Sequence, residues 1–230
     1  MRILITAAEQ EELDCAINGC MALGFGPEVM GDITFMLTGI GSTQACHTVT
    51  REIWKARLAG KPLDLVVNIG IAGSYDMEAF PLGSAAVIDR EYFADLGFET
   101  THGFEDLFQC GILGKDTMPY TGGALKRRPI PHGGIEEALA RYRGVTGVTV
   151  QTVTGNPEKV KEIYRRYTPQ IESMEGAAVY FASIMEDIPF LGLRTVSNEV
   201  GERDRKKWDI PAALHTLEEC CRDIFSGIAE

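Results

Sequence analysis

The sequence predicts an α/β fold in which one β-sheet is flanked by helices. Two observations predict it: short runs rich in β-branched residues recur along the chain, and stretches with helical spacing separate several of them. A third sets the scale, because 230 residues with 45% apolar content suffice for one full hydrophobic core. The expectation is a single domain spanning residues 1–230.

The elements follow in chain order. Runs at 3–6, 33–38, 65–69, 85–88, 148–153 and 190–196 are each bounded by Gly, Pro or Asp and read as strands buried on both faces. Helical spacing appears over 9–23, 43–58, 157–167, 174–185 and 211–225. Asn156-Pro157-Glu158 supplies a cap, a first-turn proline and an acid near the positive helix end, and Asp209-Ile210-Pro211 is similar. The segment 100–147 holds Pro119, Gly122-Gly123, Pro129, Pro131 and Gly133-Gly134. It is weakly periodic and reads as long loops around at most one short helix.

Composition excludes several functions. With 33 acidic and 22 basic residues the formal charge is -11, which repels nucleic acid and anionic membrane surfaces at long range. Cys15, Cys20, Cys46, Cys110, Cys220 and Cys221 form no C-x-x-C pair, so free thiols in a reducing compartment are expected and no metal site. Met1-Arg2-Ile3-Leu4 enters a strand-like run at once, without an export pattern. No stretch approaches the roughly eighteen apolar residues of a spanning helix. A soluble, cytoplasmic protein is expected.

Four segments carry chemistry. Glu9, Glu11 and Glu12 follow the first strand, where a carboxylate at the strand's carboxyl end can reach a ligand as general base or merely complement a helix dipole. Asn68-Ile69-Gly70-Ile71-Ala72-Gly73-Ser74 ends a strand in small residues that let a ligand approach the backbone. Gly39-Ile40-Gly41 lacks the rest of a dinucleotide fingerprint. Glu172-Ser173-Met174-Glu175-Gly176-Ala177-Ala178 sets an acid and a thioether at the mouth of an apolar helix, where core filling by the methionine is the competing reading. Arg194-Thr195-Val196-Ser197-Asn198 delivers polar residues at the carboxyl end of an apolar strand, although Asn there also serves as a turn former.

In this order and spacing the four segments resemble the nucleoside phosphorylase and nucleosidase superfamily over nearly the whole chain. The segments 172–178 and 197–208, the second reading S-N-E-V-G-E-R-D-R-K-K-W, look like its futalosine hydrolase family, which serves menaquinone biosynthesis. The resemblance implies a nucleoside phosphorylase-like fold with a central mixed, twisted sheet, and hydrolysis of a purine nucleoside's N-glycosidic bond. It implies no organic cofactor and no metal, and a homo-oligomer, with a dimer expected. Glu175 would hold the ribose hydroxyls and Met174 would lie against the sugar. An acid of the first loop would activate water, with Glu11 preferred over Glu12 by counting from Ala7. Asn198, with Ser197 before it, would face the purine. Ala72 and Gly73 would border the substrate, and the backbone of Thr152 and Val153 would meet the base. Trp208 and Phe98 would wall the sugar or its 5′ group, with core packing as their alternative.

The residue types suit the chemistry. Breaking a C–N glycosidic bond builds positive charge on the ribose, which carboxylates stabilise, and a second carboxylate activates the nucleophile. Adenosine-type relatives carry Asp where this chain has Asn198, and an amide can donate to both N7 and O6 of a 6-oxopurine. One phosphorolytic branch carries Arg at the place of Asn68, which favours water here, with Arg51, Arg90 or Arg194 left as other sources of charge. Arg203, Arg205, Lys206 and Lys207 read first as a solvated face and second as partners for a carboxylate at the substrate's 5′ end.

Overall fold

In a computed structural model, which describes residues 1–228, β1 (Ile3–Ala7) alternates its side chains between two apolar layers. Ile3, Ile5 and Ala7 enter a cluster completed by α1 (Gln10–Ala22) and α7 (Ile210–Ser226), through Leu13, Ala16, Leu217, Ile224 and Phe225. Leu4 enters the opposite cluster, built with α3 (Ser42–Leu58) and α6 (Gly176–Met185). Helices on both faces explain why the strands carry near-continuous apolar runs.

The sheet is mixed and eight-stranded. Parallel pairs join β1 to β2 (Ile33–Leu37) and to β3 (Leu65–Ser74), and join β3 to β10 (Phe190–Glu199). From β10 the sheet continues antiparallel to β4 (Ala85–Phe93), then parallel to β8 (Gly144–Thr149) and β9 (Ile171–Ser173). Because β9 pairs back onto β3, five of these strands close a ring, and β1 and β2 form a wing. The carboxyl ends of the parallel strands β1, β3 and β10 therefore open on one side, where ligands of α/β sheets bind.

The remaining elements are short: α2 (Pro27–Gly31), the hairpin β5 (Gly97–Thr100) and β6 (Gly103–Asp106), β7 (Leu125–Lys126) and α4 (Gly133–Leu139). The expectation of loops around one short helix in 100–147 holds for α4, and β6 and β7 add to it. α5 (Pro157–Tyr167) begins as its sequence predicts, with the Asn156 side chain accepting from Glu158 N–H at 2.8 Å. Asp209 caps α7 through Ala212 N–H at 3.0 Å. No helix among the described residues is long and apolar enough to cross a membrane.

Candidate active site

After β1 the chain passes Ala8 and Glu9 into α1, and Glu12 lands on the inner face of that helix, in line with Ala16 and Cys20. Its buried carboxylate accepts from the main-chain N–H groups of Ala8 (3.1 Å), Glu9 (3.2 Å) and Ile71 (2.9 Å). Small residues at the end of β3 make the room: a Cβ on Gly70 would lie 2.9 Å from Glu12 Oε1. Burial raises the Glu12 pKa. The N–H donors of Ile71 and Glu9 and the charge of Arg194 oppose the rise, and the negative charge of Glu175 adds to it. Glu11, preferred from the sequence, is exposed on the outer side of α1. One residue turns a side chain about 100° around a helix, so the acid counted from Ala7 faces outward and the next one inward.

Glu175 immediately precedes α6 and is likewise buried. Its Oε1 accepts from Gly41 N–H at 2.8 Å, and Ser42 Oγ donates to the neighbouring Met174 carbonyl at 3.2 Å. Gly41 has φ of 92°, a conformation that side-chain-bearing residues rarely adopt. The Gly39-Ile40-Gly41 turn is thus a cradle for Glu175. Burial raises the Glu175 pKa, against the Gly41 hydrogen bond and Arg194. Met174 is half-buried beside it.

At the end of β10 the register against β3 slips between Val196 and Asn198, leaving Ser197 as an extra residue. Such a bulge re-aims the side chains that follow it. Asn198 pairs with Gly73, and its Nδ2 lies 3.2 Å from where a Gly73 Cβ would stand. Ser197 Oγ is within donating distance of Asn198 Oδ1 (2.9 Å) and of the Ala72 carbonyl (3.2 Å), and Asn198 Nδ2 donates to the Glu199 carbonyl at 2.9 Å. Ala72, Gly73, Ser197 and Asn198 are therefore one packed unit.

Arg194 lies beneath these groups. It is buried, and its guanidinium donates to the carbonyls of Asn68 and Leu193, each at 2.9 Å, and to Asn68 Oδ1. Its charge acts on Glu12, on Glu175 and on a third acid, Glu91 of β4. Burial pushes the Glu91 pKa up to about 7, opposed by Arg194 and by a hydrogen bond from Thr149. A folded pKa above the unfolded one means that the native state binds the extra proton, so wild-type stability falls as pH rises from the ordinary carboxylate range towards 7. Glu91→Gln removes this dependence. Urea denaturation at pH 5 and pH 8 should show the variant gaining on wild type by about 3 kcal/mol over that interval. Parallel pH dependences would refute the placement of that proton.

Thr152 and Val153 do not end a strand, because β8 stops at Thr149; they stand exposed on the following loop. Thr154 N–H ties that loop to Glu172 Oε1 at 2.9 Å, and Tyr75 donates to Glu172 Oε2 at 2.7 Å. Phe98 is exposed on the separate two-stranded hairpin. The Trp208 indole donates to the Glu202 carbonyl at 3.1 Å, and Arg203 and Arg205 lie over its ring at 5.2 and 5.8 Å. The run 203–207 is exposed, as a solvated face should be. Arg51 pairs with Glu52 at 2.9 Å and Arg90 is exposed.

The phosphorylase superfamily pattern matches residues 28–227. Within it, the chain is 36% identical over 185 residues to a futalosine hydrolase of Streptomyces coelicolor, covering 80% of this chain and 74% of the relative. This chain belongs to the futalosine hydrolase family of that superfamily. A further futalosine hydrolase, from Thermus thermophilus, is 30% identical over 84% of this chain and 80% of its own length. Among solved structures, the fold matches a futalosine hydrolase mutant of Helicobacter pylori with a TM-score of 0.76 at 16% identity, over 98% of this chain and 99% of the other. It also matches a methylthioadenosine/adenosylhomocysteine nucleosidase of Colwellia psychrerythraea in complex with adenine, with a TM-score of 0.74 at 17% identity, over 99% and 95%. The fold of this chain is thus one it shares with both of these solved structures.

Proposed function

We propose that this chain hydrolyses the N-glycosidic bond of futalosine, releasing hypoxanthine and dehypoxanthine futalosine in menaquinone biosynthesis. What supports the reading is a pair of buried carboxylates, Glu12 and Glu175, far apart in the chain and both under the charge of Arg194. Glu12 is the general base. It takes a proton from water as the water oxygen bonds to C1′, while the C1′–N9 electron pair leaves with the purine. Glu175 accepts hydrogen bonds from the ribose hydroxyls, and its negative charge lowers the energy of the cationic sugar in the transition state. Asn198 donates to the departing 6-oxopurine through the amide N–H that the Glu199 carbonyl does not take, and the base carries part of the electron pair until solvent protonates it.

Water is favoured over phosphate because the nearby cation, Arg194, is already spent on Asn68, Leu193 and the carboxylates. We place the enzyme in the cytoplasm as a homo-oligomer, a dimer, on the strength of the family resemblance. Futalosine, inosine and methylthioadenosine incubated in parallel, with and without phosphate, test the reading by chromatography of the products. Hypoxanthine should appear fastest from futalosine and independently of phosphate. Faster cleavage of methylthioadenosine would overturn the substrate, and a phosphate requirement would overturn hydrolysis.

A further inference from the structure

Glu91 has no part in the chemistry above, yet it is buried against the start of α6, next to the residue that follows Glu175. A Cβ on Gly147 would lie 2.3 Å from its Oε2, and one on Gly176 would lie 3.0 Å from its Cδ, so two glycines are needed to admit the acid. Thr149 Oγ1, itself fully buried, donates to Glu91 Oε1 at 2.8 Å and accepts from Ala177 N–H at 2.7 Å. The charged and titratable groups that face Glu91 are Arg194 from β10, Glu175 just ahead of α6 and Tyr180 within it.

We propose that Glu91 is a positioning residue: through the Thr149 hydroxyl it fixes the first turn of α6, and with that turn the backbone from which Glu175 and Met174 project. A hydroxyl has one proton, so Thr149 can receive the Ala177 N–H in a defined direction only if an acceptor on its other side takes that proton. Glu91 Oε1 is that acceptor. The chain of bonds runs one way, from backbone amide to hydroxyl to carboxyl oxygen, and it operates with Glu91 protonated or ionised. Gly41 N–H holds Glu175 from the carboxylate end, so Glu175 is clamped at both its backbone and its head. An apolar residue would fill the same space at lower desolvation cost and leave the Thr149 proton without a partner.

The proposal rests on the reading that Glu175 grips the ribose hydroxyls, and its test separates the two. Thr149→Val, Glu91→Leu, Glu91→Gln and Glu175→Gln are compared with wild type for kcat/KM on inosine and 2′-deoxyinosine, and for hypoxanthine affinity. Thr149→Val and Glu91→Leu should lower the preference for inosine over 2′-deoxyinosine about tenfold, as expected of a misplaced contact. Hypoxanthine affinity should stay within about twofold, because the base site is a separate unit. Glu91→Gln keeps an acceptor oxygen and should keep the preference. If Glu91→Leu fails to fold, the near-isosteric Thr149→Val decides. An unchanged preference in Thr149→Val, or equal losses on both nucleosides and on hypoxanthine, overturns the relay. Should Glu175→Gln itself leave the preference unchanged, the ribose-grip reading fails instead.

Discussion

Glu12→Gln lowers futalosine turnover about a thousandfold, within the range that a positioned general base contributes, whereas Glu11→Gln leaves it within about twofold. The contrast follows from burial. Glu12 is held by the main-chain N–H donors of Ala8 and Glu9 ahead of α1 and of Ile71 in β3, and Glu11 faces solvent. Glutamine has the same length but offers one acceptor oxygen and no basic site, so the loss falls on kcat more than on KM. The pH profile supplies a second readout. Burial raises the Glu12 pKa, and the base acts only when ionised, so the acid limb of kcat/KM should lie above the ordinary carboxylate range, with activity rising through it as pH increases. Residual activity in Glu12→Gln should lack that limb. A larger loss in Glu11→Gln would reverse the assignment.

Asn198→Asp is expected to lower the ratio of inosine to adenosine cleavage about a hundredfold, the scale on which unmatched polar groups in a site discriminate. Ser197 faces Asn198 Oδ1 and the Glu199 carbonyl takes one amide proton, which leaves the second amide N–H available to a base. That N–H donates, and both N7 and O6 of hypoxanthine are acceptors. An ionised aspartate sets lone pairs against those acceptors. The exocyclic amine of adenosine can donate to the acid, so adenosine is penalised less. Steady-state kcat/KM values for both nucleosides with both proteins measure the ratio, and an unchanged ratio would show that Asn198 does not meet the base.

The strands that could be recognised from the sequence are those whose burial is set by apolar residues, such as β1 and the first half of β3. The second half of β3, from Gly70 to Ser74, has poor strand propensity and is extended because β10 and β9 hydrogen-bond along it. β9 is three residues long and shows no period. Glu175, Met174 and Asn198 stand out as candidates because their residue types are unusual at the ends of apolar elements. Glu12 was within reach: it precedes Ala16 by four residues and Cys20 by eight, so it lies on the helix's apolar stripe. Glu91 was not. The register of β4 against β8 slips between Ile88 and Arg90, which turns Glu91 inward where simple alternation along the strand would not lead. The slip at Ser197 that aims Asn198 is equally tertiary in origin, as is the partnership of Arg194 with Asn68.

The central claim, that water activated by Glu12 attacks C1′, is tested most directly by running the reaction in water enriched in oxygen-18 and following the sugar product by mass spectrometry at early times. One labelled oxygen at C1′ is expected, at a rate indifferent to added phosphate. A ribose 1-phosphate product without the label would contradict the account.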